Sequence, residues 1–243
     1  MTNLAENLER VRERIAAAAR RAGRDPQGIT LVAVTKTHPV EIICEALALG
    51  VTDIGENRVE EALPKIQQIR TAQPANPTWH MIGHIQSRKA KDVAAAFAVA
   101  HSVDSARLAE RLNRAAADHG KTLPVYIECN VSGEASKSGL AAAQALDDPA
   151  QAEALAAEIE PMLALPNLRV LGLMTIAPVV PAPEQARPVF QRLRRLRDHL
   201  AGRFPQAGWA GLSMGMTDDF EAAIEEGATC IRVGRAIFGE RRQ

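Results

Sequence analysis

The stretch Ile29-Thr30-Leu31-Val32-Ala33-Val34-Thr35-Lys36-Thr37 decides the fold. Its first six residues are apolar or β-branched, with no polar alternation. That is the pattern of a strand buried on both faces, as in a parallel sheet. His38-Pro39 follows and opens a helix, since proline suits a first turn, and Gly50 stops it. Upstream, Leu4, Leu8, Val11 and Ile15 share one helical face, with Asn3 and Glu6 as a capping box and Gly23 as a stop.

Outward from this unit the alternation repeats. Strand-like pieces lie at residues 52–55, 79–83, 99–104, 124–131, 169–176, 210–213 and 230–234, which with 29–34 makes eight. Helical periodicity fills most gaps, as in Leu108, Leu112 and Ala116, or Phe190, Leu193, Leu196 and Leu200. Eight β-then-α units in 243 residues predict a single-domain (β/α)8 TIM barrel over residues 1–243. A doubly wound sheet is the competing architecture, but no two glycines are separated by one residue, so its GxGxxG loop cannot occur.

Composition narrows the function classes. Lysine plus arginine is 29 and aspartate plus glutamate is 29, a balance that argues against a nucleic-acid or anionic-membrane surface. No apolar run reaches the roughly 18 residues of a membrane span. The charged N-terminus lacks a signal peptide's apolar core. Cys44, Cys129 and Cys230 are odd in number and far apart, so a reduced, cytoplasmic protein is expected.

In a barrel the chemistry sits at the C-terminal ends of the strands. The first strand ends at Lys36, and a lysine there is costly to bury unless paired. It reads either as a salt-bridged lysine or as a nucleophilic one that attacks a carbonyl. The seventh strand ends in Gly211-Leu212-Ser213-Met214-Gly215 and the eighth in Arg232-Val233-Gly234-Arg235. Loops in these two slots commonly form a phosphate cradle. Asp218 and Asp219 would repel a dianion and are read as capping the next helix and pointing away. Asn57, His80 and Met174 are placed at the barrel mouth. His80 and His84 have i,i+4 spacing but no HExxH, which leaves a metal site unsupported, and Cys129 reads as packing.

A lysine ending strand one, with phosphate loops after strands seven and eight, resembles the fold-type III pyridoxal-phosphate proteins. Within them, VAVTK at 32–36, IGENRVEEALPK at 54–65, WHMIGHIQSRKAK at 79–91, SGEASKSGL at 132–140, LGLMTIAP at 171–178 and LSMGMTDDFEAAIEEGATCIRVGRAIFGER at 212–241 resemble the pyridoxal phosphate homeostasis protein family. These segments run over nearly the whole chain. The resemblance implies an alanine-racemase N-terminal-domain-like barrel that holds pyridoxal 5'-phosphate (PLP) as a Schiff base on Lys36. It implies Ser213, Gly215, Gly234 and Arg235 at the phosphate, Arg232 at the pyridine nitrogen, and Asn57 and His80 beside the ring. Arg235 departs from the small hydroxyl residue often found at its position, so only its backbone carries over. The stretch 141–152 looks long and is expected to extend a surface helix.

An arginine cannot accept the ring's proton, so Arg232 would weaken PLP as an electron sink. Alanine-racemase-like enzymes add a second domain and a catalytic tyrosine, whereas this chain ends at Gln243 and its one tyrosine, Tyr126, is expected away from the mouth. The expectation is a PLP carrier or regulator, monomeric or weakly dimeric, serving apo PLP-dependent enzymes. The alternatives are a small amino-acid racemase or lyase, with Lys36 and Cys129 or His80 as bases, and a cofactor-free class I aldolase.

Overall fold

The computed structural model describes residues 3–72 and 76–240; the ends of the expected 1–243 domain, Arg241 included, lie outside the described residues. Helix α1 (Leu4–Arg21) precedes the first strand and is capped by Asn3, whose side chain accepts from the Glu6 N–H. Then come β1 (Thr30–Val34), α2 (Val40–Ala48), β2 (Asp53–Glu56), α3 (Val59–Ala72), β3 (Thr78–Met81), α4 (Ala90–Ala96), β4 (Val99–Val103) and α5 (Ala106–Asp118). The second half runs β5 (Leu123–Asn130), β6 (Leu140–Ala141), α6 (Pro149–Leu163), β7 (Leu168–Met174), α7 (Arg187–Arg203), β8 (Gly211–Ser213), α8 (Phe220–Glu225), β9 (Cys230–Val233) and α9 (Arg235–Phe238). Three short 3-10 turns complete it.

All strand pairs are parallel. The ladder runs β4-β3-β2-β1-β9-β8-β7-β5, and β4 pairs with β5 to close it into an eight-stranded ring. The expected (β/α)8 barrel is therefore the fold, a single domain whose strand bounds differ from the sequence-based ones by one or two residues. The two largest differences, after Met81 and Met174, are at C-terminal ends, where the chain leaves the ladder to build the mouth. Alternate residues face in and out. Outward-facing Ala33, Ile54, Trp79 and Ile127 join the helices in the main apolar core, while Val32, Val34, Ile82, Val99, Tyr126, Met174 and Cys230 pack inside the ring.

One expectation changes here. Of the stretch 141–152 only 149–152 are helical: Leu140–Ala141 adds a short strand to β5, a turn follows, and α6 starts at Pro149 under an Asp148 cap that accepts from the Ala150 N–H at 2.9 Å. A two-residue strand is too short for any periodicity to announce. Tyr126 lies away from the mouth, as expected, yet it is no bystander. Its ring sits in the barrel interior, 4.7 Å from the His101 ring between centroids. Among the described residues no helix is long and apolar enough to cross a membrane.

One glycine makes room for that ring, and a second for the backbone of the first. Tyr126 pairs with Gly172 in register, and Gly172 pairs with Gly211 on the next strand. A Cβ on Gly211 would stand 2.7 Å from Tyr126 Cε1, and one on Gly172, at φ +151°, would stand 1.9 Å from the Gly211 carbonyl oxygen. Backbone cannot yield there as a flexible side chain could. Gly172→Ala should therefore cost at least about 3 kcal/mol, read as a lowered urea midpoint at unchanged slope.

Candidate functional site

A cavity of about 800 Å³ opens at the C-terminal end of the strands, lined by Lys36, Asn57, Thr217, Arg232, Gly234 and Arg235 among others. Five of the nine residues singled out from the sequence thus meet in one place. Met174, His80, Ser213 and Gly215 do not line it.

Lys36 is held from behind by a buried ionic cluster that no sequence reading picked out. Lys65 Nζ, on α3, donates to the Thr35 carbonyl at 2.9 Å, to Glu56 Oε1 at 2.8 Å and to Glu61 Oε1 at 2.6 Å. The Thr35 hydroxyl donates to Glu56 Oε1 at 2.7 Å. Burial pushes the Glu56 carboxyl above its usual range, opposed by Lys65 and Thr35. Thr37, at φ +67°, occupies a conformation that costs a β-branched residue energy, and its N–H donates to Glu61 Oε1 at 2.5 Å. The cluster clamps the backbone on both sides of Lys36. The segment 54–65 carries these residues, and their i,i+4 and i,i+9 spacings gave the only available hint.

Arg232 is the other anchor. It points into the ring from β9 and is buried. Its Nη1 donates to Ser213 Oγ at 2.5 Å and its Nη2 to the Thr175 carbonyl at 2.8 Å. Burial lowers its pKa from the ordinary arginine value, opposed by Cys230, Glu128 and Asp219. Ser213 continues inward to His101 Nδ1 at 2.9 Å, His101 Nε2 reaches His80 Nδ1 at 2.9 Å, and His80 Nε2 reaches Asp53 Oδ1 at 2.9 Å. His80 therefore does not border the mouth; it lies deep in the barrel, because β3 turns its side chain inward beside β2 and β4. Ser213 also lies inside the ring, where its hydroxyl is bonded to Arg232 and His101. Met174 is fully buried in the interior apolar cluster beneath the cavity.

The two loops differ from expectation in detail. Gly215 has φ +94°, and a Cβ there would stand 2.6 Å from Ala223 Cβ and 2.9 Å from Phe220 Cα, so packing against α8 demands the glycine. Asp219 does not cap α8 but accepts from the Met216 N–H at 2.6 Å, closing the loop on itself. Asp218 stays at the cavity rim, where it and Glu240 share the Arg235 guanidinium, so the expected repulsion is offset in part. The Thr217 hydroxyl accepts from the Ala236 N–H at 3.3 Å, joining the two loops. Asn57 Oδ1 is buried with no protein partner. An acceptor without a donor, an amine at a strand end and a buried guanidinium in one cavity fit an aromatic aldehyde carrying a phosphate.

Beside the cavity lies a smaller pocket of about 210 Å³, lined by Asn57, His84, Glu128 and Lys137 among others. His84 pairs with Asp104 at 3.1 Å, and no group of three metal-binding side chains exists among the described residues. Burial pushes the Glu128 carboxyl up to about 7, helped by Asp104 and opposed by Arg232. Cys129, on the outward face of β5, is pushed up to about 12 by burial and is inert packing.

Two outcomes follow from these charges. Lys65→Met should cost about 3–5 kcal/mol by stranding Glu56, and adding Glu56→Gln should recover most of it, measured by urea denaturation. Glu128 binds its proton more tightly folded than unfolded, so the wild type loses stability as pH rises from 4.5 to about 7. Glu128→Gln should gain on the wild type across that window, by about 3 kcal/mol at most, with no gain below it.

Residues 6–242 match the family model "Alanine racemase, N-terminal domain". The pyridoxal phosphate homeostasis protein of Pseudomonas aeruginosa is 44% identical over 241 residues, spanning 99% of this chain and 97% of that one. That of Aquifex aeolicus is 41% identical over 240 residues, spanning 99% of both. The structure of PipY from Synechococcus elongatus PCC7942 with PLP bound superposes with a TM-score of 0.81 at 34% identity, covering 98% of this chain and 100% of that one. With its eight-stranded ring and its strand-end lysine, the chain belongs to the alanine racemase N-terminal-domain family and, within it, to the pyridoxal phosphate homeostasis proteins.

Proposed function

We propose that this protein binds PLP in the mouth cavity and acts in its homeostasis, holding the cofactor on Lys36 and passing it to apo PLP-dependent enzymes. The observation that carries the reading is the convergence of Lys36 and the buried Arg232 on one cavity. PLP supplies an aldehyde that an amine captures and, when its ring nitrogen is protonated, an electron sink. Lys36 offers the amine, at a position clamped by the Lys65 cluster. Arg232 faces the ring nitrogen as a donor that cannot accept its proton, which keeps the sink shallow. Gly234, Arg235 and Thr217 hold the phosphate, with Gly215 shaping the loop and Asn57 bordering the ring. A cytoplasmic setting goes with Cys44, Cys129 and Cys230 all being free thiols.

The bases an amino-acid racemase would need support the carrier reading by where they are. Cys129 faces away from the cavity and His80 is bound within the barrel. Glu128, a buried carboxyl near neutrality in the adjoining pocket, favours a second reading: slow α-proton chemistry on small amino acids. Deuterium incorporation into alanine, followed by NMR, separates the two, since a carrier gives none.

Borohydride reduction of the PLP-loaded protein, followed by peptide mass analysis, should place the pyridoxyl group on Lys36; a label on another lysine overturns the site. Lys36→Ala should fold and lose the absorbance band. PLP should bind at least about a hundredfold more tightly than pyridoxal, since two hydrogen bonds to a charged group are each worth about 1.5 kcal/mol or more. Gly234→Val should weaken binding more than Arg235→Ala, whose side chain serves Asp218.

A further inference from the structure

The barrel interior carries a line of polar groups that the cofactor reading does not use. It starts at Arg232 in the mouth cavity and ends at Asp53, at the opposite end of the ring, where Asp53 lines a separate cavity of about 430 Å³. We propose that Asp53, His80, His101 and Ser213 form a directed hydrogen-bond relay that positions Arg232 for the cofactor from the far end of the barrel.

With one ring proton on each imidazole, the two ends dictate the direction. A guanidinium only donates, and an ionised carboxylate only accepts. Ser213 Oγ must therefore accept from Arg232 Nη1, at 2.5 Å, which leaves its own proton for His101 Nδ1 at 2.9 Å. His101 then carries its proton on Nε2 and donates to His80 Nδ1, and His80 Nε2–H donates to Asp53. Three protons fill three hydrogen bonds, and both imidazoles are Nε2–H tautomers. The reverse order would set His80 Nε2 and Asp53 Oδ1, two acceptors, face to face at 2.9 Å unless one more proton entered.

The surroundings favour this arrangement. His101 is fully buried, and desolvation drives its pKa well below the ordinary value, with the Arg232 charge acting in the same direction, so it stays neutral. Burial opposes ionisation of Asp53, but the hydrogen bonds from His80 and Thr52 outweigh it and hold the carboxyl below its usual range. Cys230, beside Ser213, is pushed up to about 12 by burial, remains an S–H and competes weakly for the Ser213 proton. Tyr126 packs against the His101 ring and holds its plane. A buried arginine with two fixed acceptors keeps one orientation; without Ser213 aligned by His101 it would keep only the Thr175 carbonyl.

The affinity half of the test rests on PLP being the ligand, and the tautomer half does not. Imidazole nitrogen-15 spectra of the PLP-free protein should report Nε2–H tautomers for both His80 and His101. An Nδ1–H tautomer at either position overturns the relay. In PLP titrations, His101→Leu should weaken binding about tenfold, while His101→Gln, which keeps one acceptor and one donor, should stay within about threefold of the wild type. Asp53→Leu should weaken binding severalfold despite lying at the other end of the ring. Wild-type affinity in both His101→Leu and Asp53→Leu overturns the proposal. If His101→Leu does not fold, the tautomers and Asp53→Leu still decide. Failure of the wild type to take up PLP would sink the cofactor reading and leave the tautomer result standing.

Discussion

A guanidinium buried inside a barrel of apolar strands is the constraint on which the rest of the structure depends. Moving a charge out of water is expensive unless hydrogen bonds and opposite charges replace the lost hydration. Arg232 is fitted with both: the Ser213 hydroxyl and Thr175 carbonyl take its protons, and Glu128 and Asp219 lie near enough to oppose its desolvation. A (β/α)8 ring usually fills its interior with bulky apolar side chains. Here the apolar interior shrinks to a small cluster around Val32, Val34, Met174 and Cys230, and the remaining space carries polar side chains in a line. Gly211 belongs to the same accommodation, because it admits the Tyr126 ring that packs against His101, and Gly172 admits the Gly211 backbone beside it.

A second buried charge system, Glu56–Lys65–Glu61, stands outside the ring and holds the segment from Thr35 to Thr37. The two systems are separate and act on different groups. One fixes the amine of the site through the backbone that carries it. The other fixes the guanidinium through its own hydrogen bonds. Ion pairs this deep contribute little net stability against apolar packing of the same volume, but breaking one is costly. Their value here is geometric: Lys36, just beyond β1, and Arg232, on the neighbouring β9, line one cavity.

That pairing bears on why such a barrel suits custody of a reactive cofactor. In the proposed reading, a permanently charged donor at the ring nitrogen would withhold the protonation that deepens an electron sink, and the candidate bases Cys129 and His80 are tied up in packing and in the interior line. At the rim, Asp218 and Glu240 share the Arg235 guanidinium, which offsets part of the repulsion an anion would meet there. Glu128 is the exception, a buried acid near neutrality one pocket away, and it is where residual chemistry would have to reside.

The sequence by itself determined the barrel, the strand-end lysine and the loops after the last two strands. Those features are local: apolar runs with β-branched residues make strands, the 3.6 period makes helices, and glycines mark the turns between them. Asn57, Arg232, Gly234 and Arg235 were legible for the same reason, since the ends of strands in a barrel converge by construction. What only the tertiary structure decided is which way each interior side chain turns and whom it meets. His80 belongs to β3, Asp53 to β2, His101 to β4 and Ser213 to β8, and nothing in their spacing along the chain says that a closed ring stacks them within hydrogen-bond reach. Lys65 and Glu56 meet for a similar reason, across the gap between a helix and the ring. Long-range pairing of this kind follows from strand register and barrel closure, which set distances that no single segment of the chain contains.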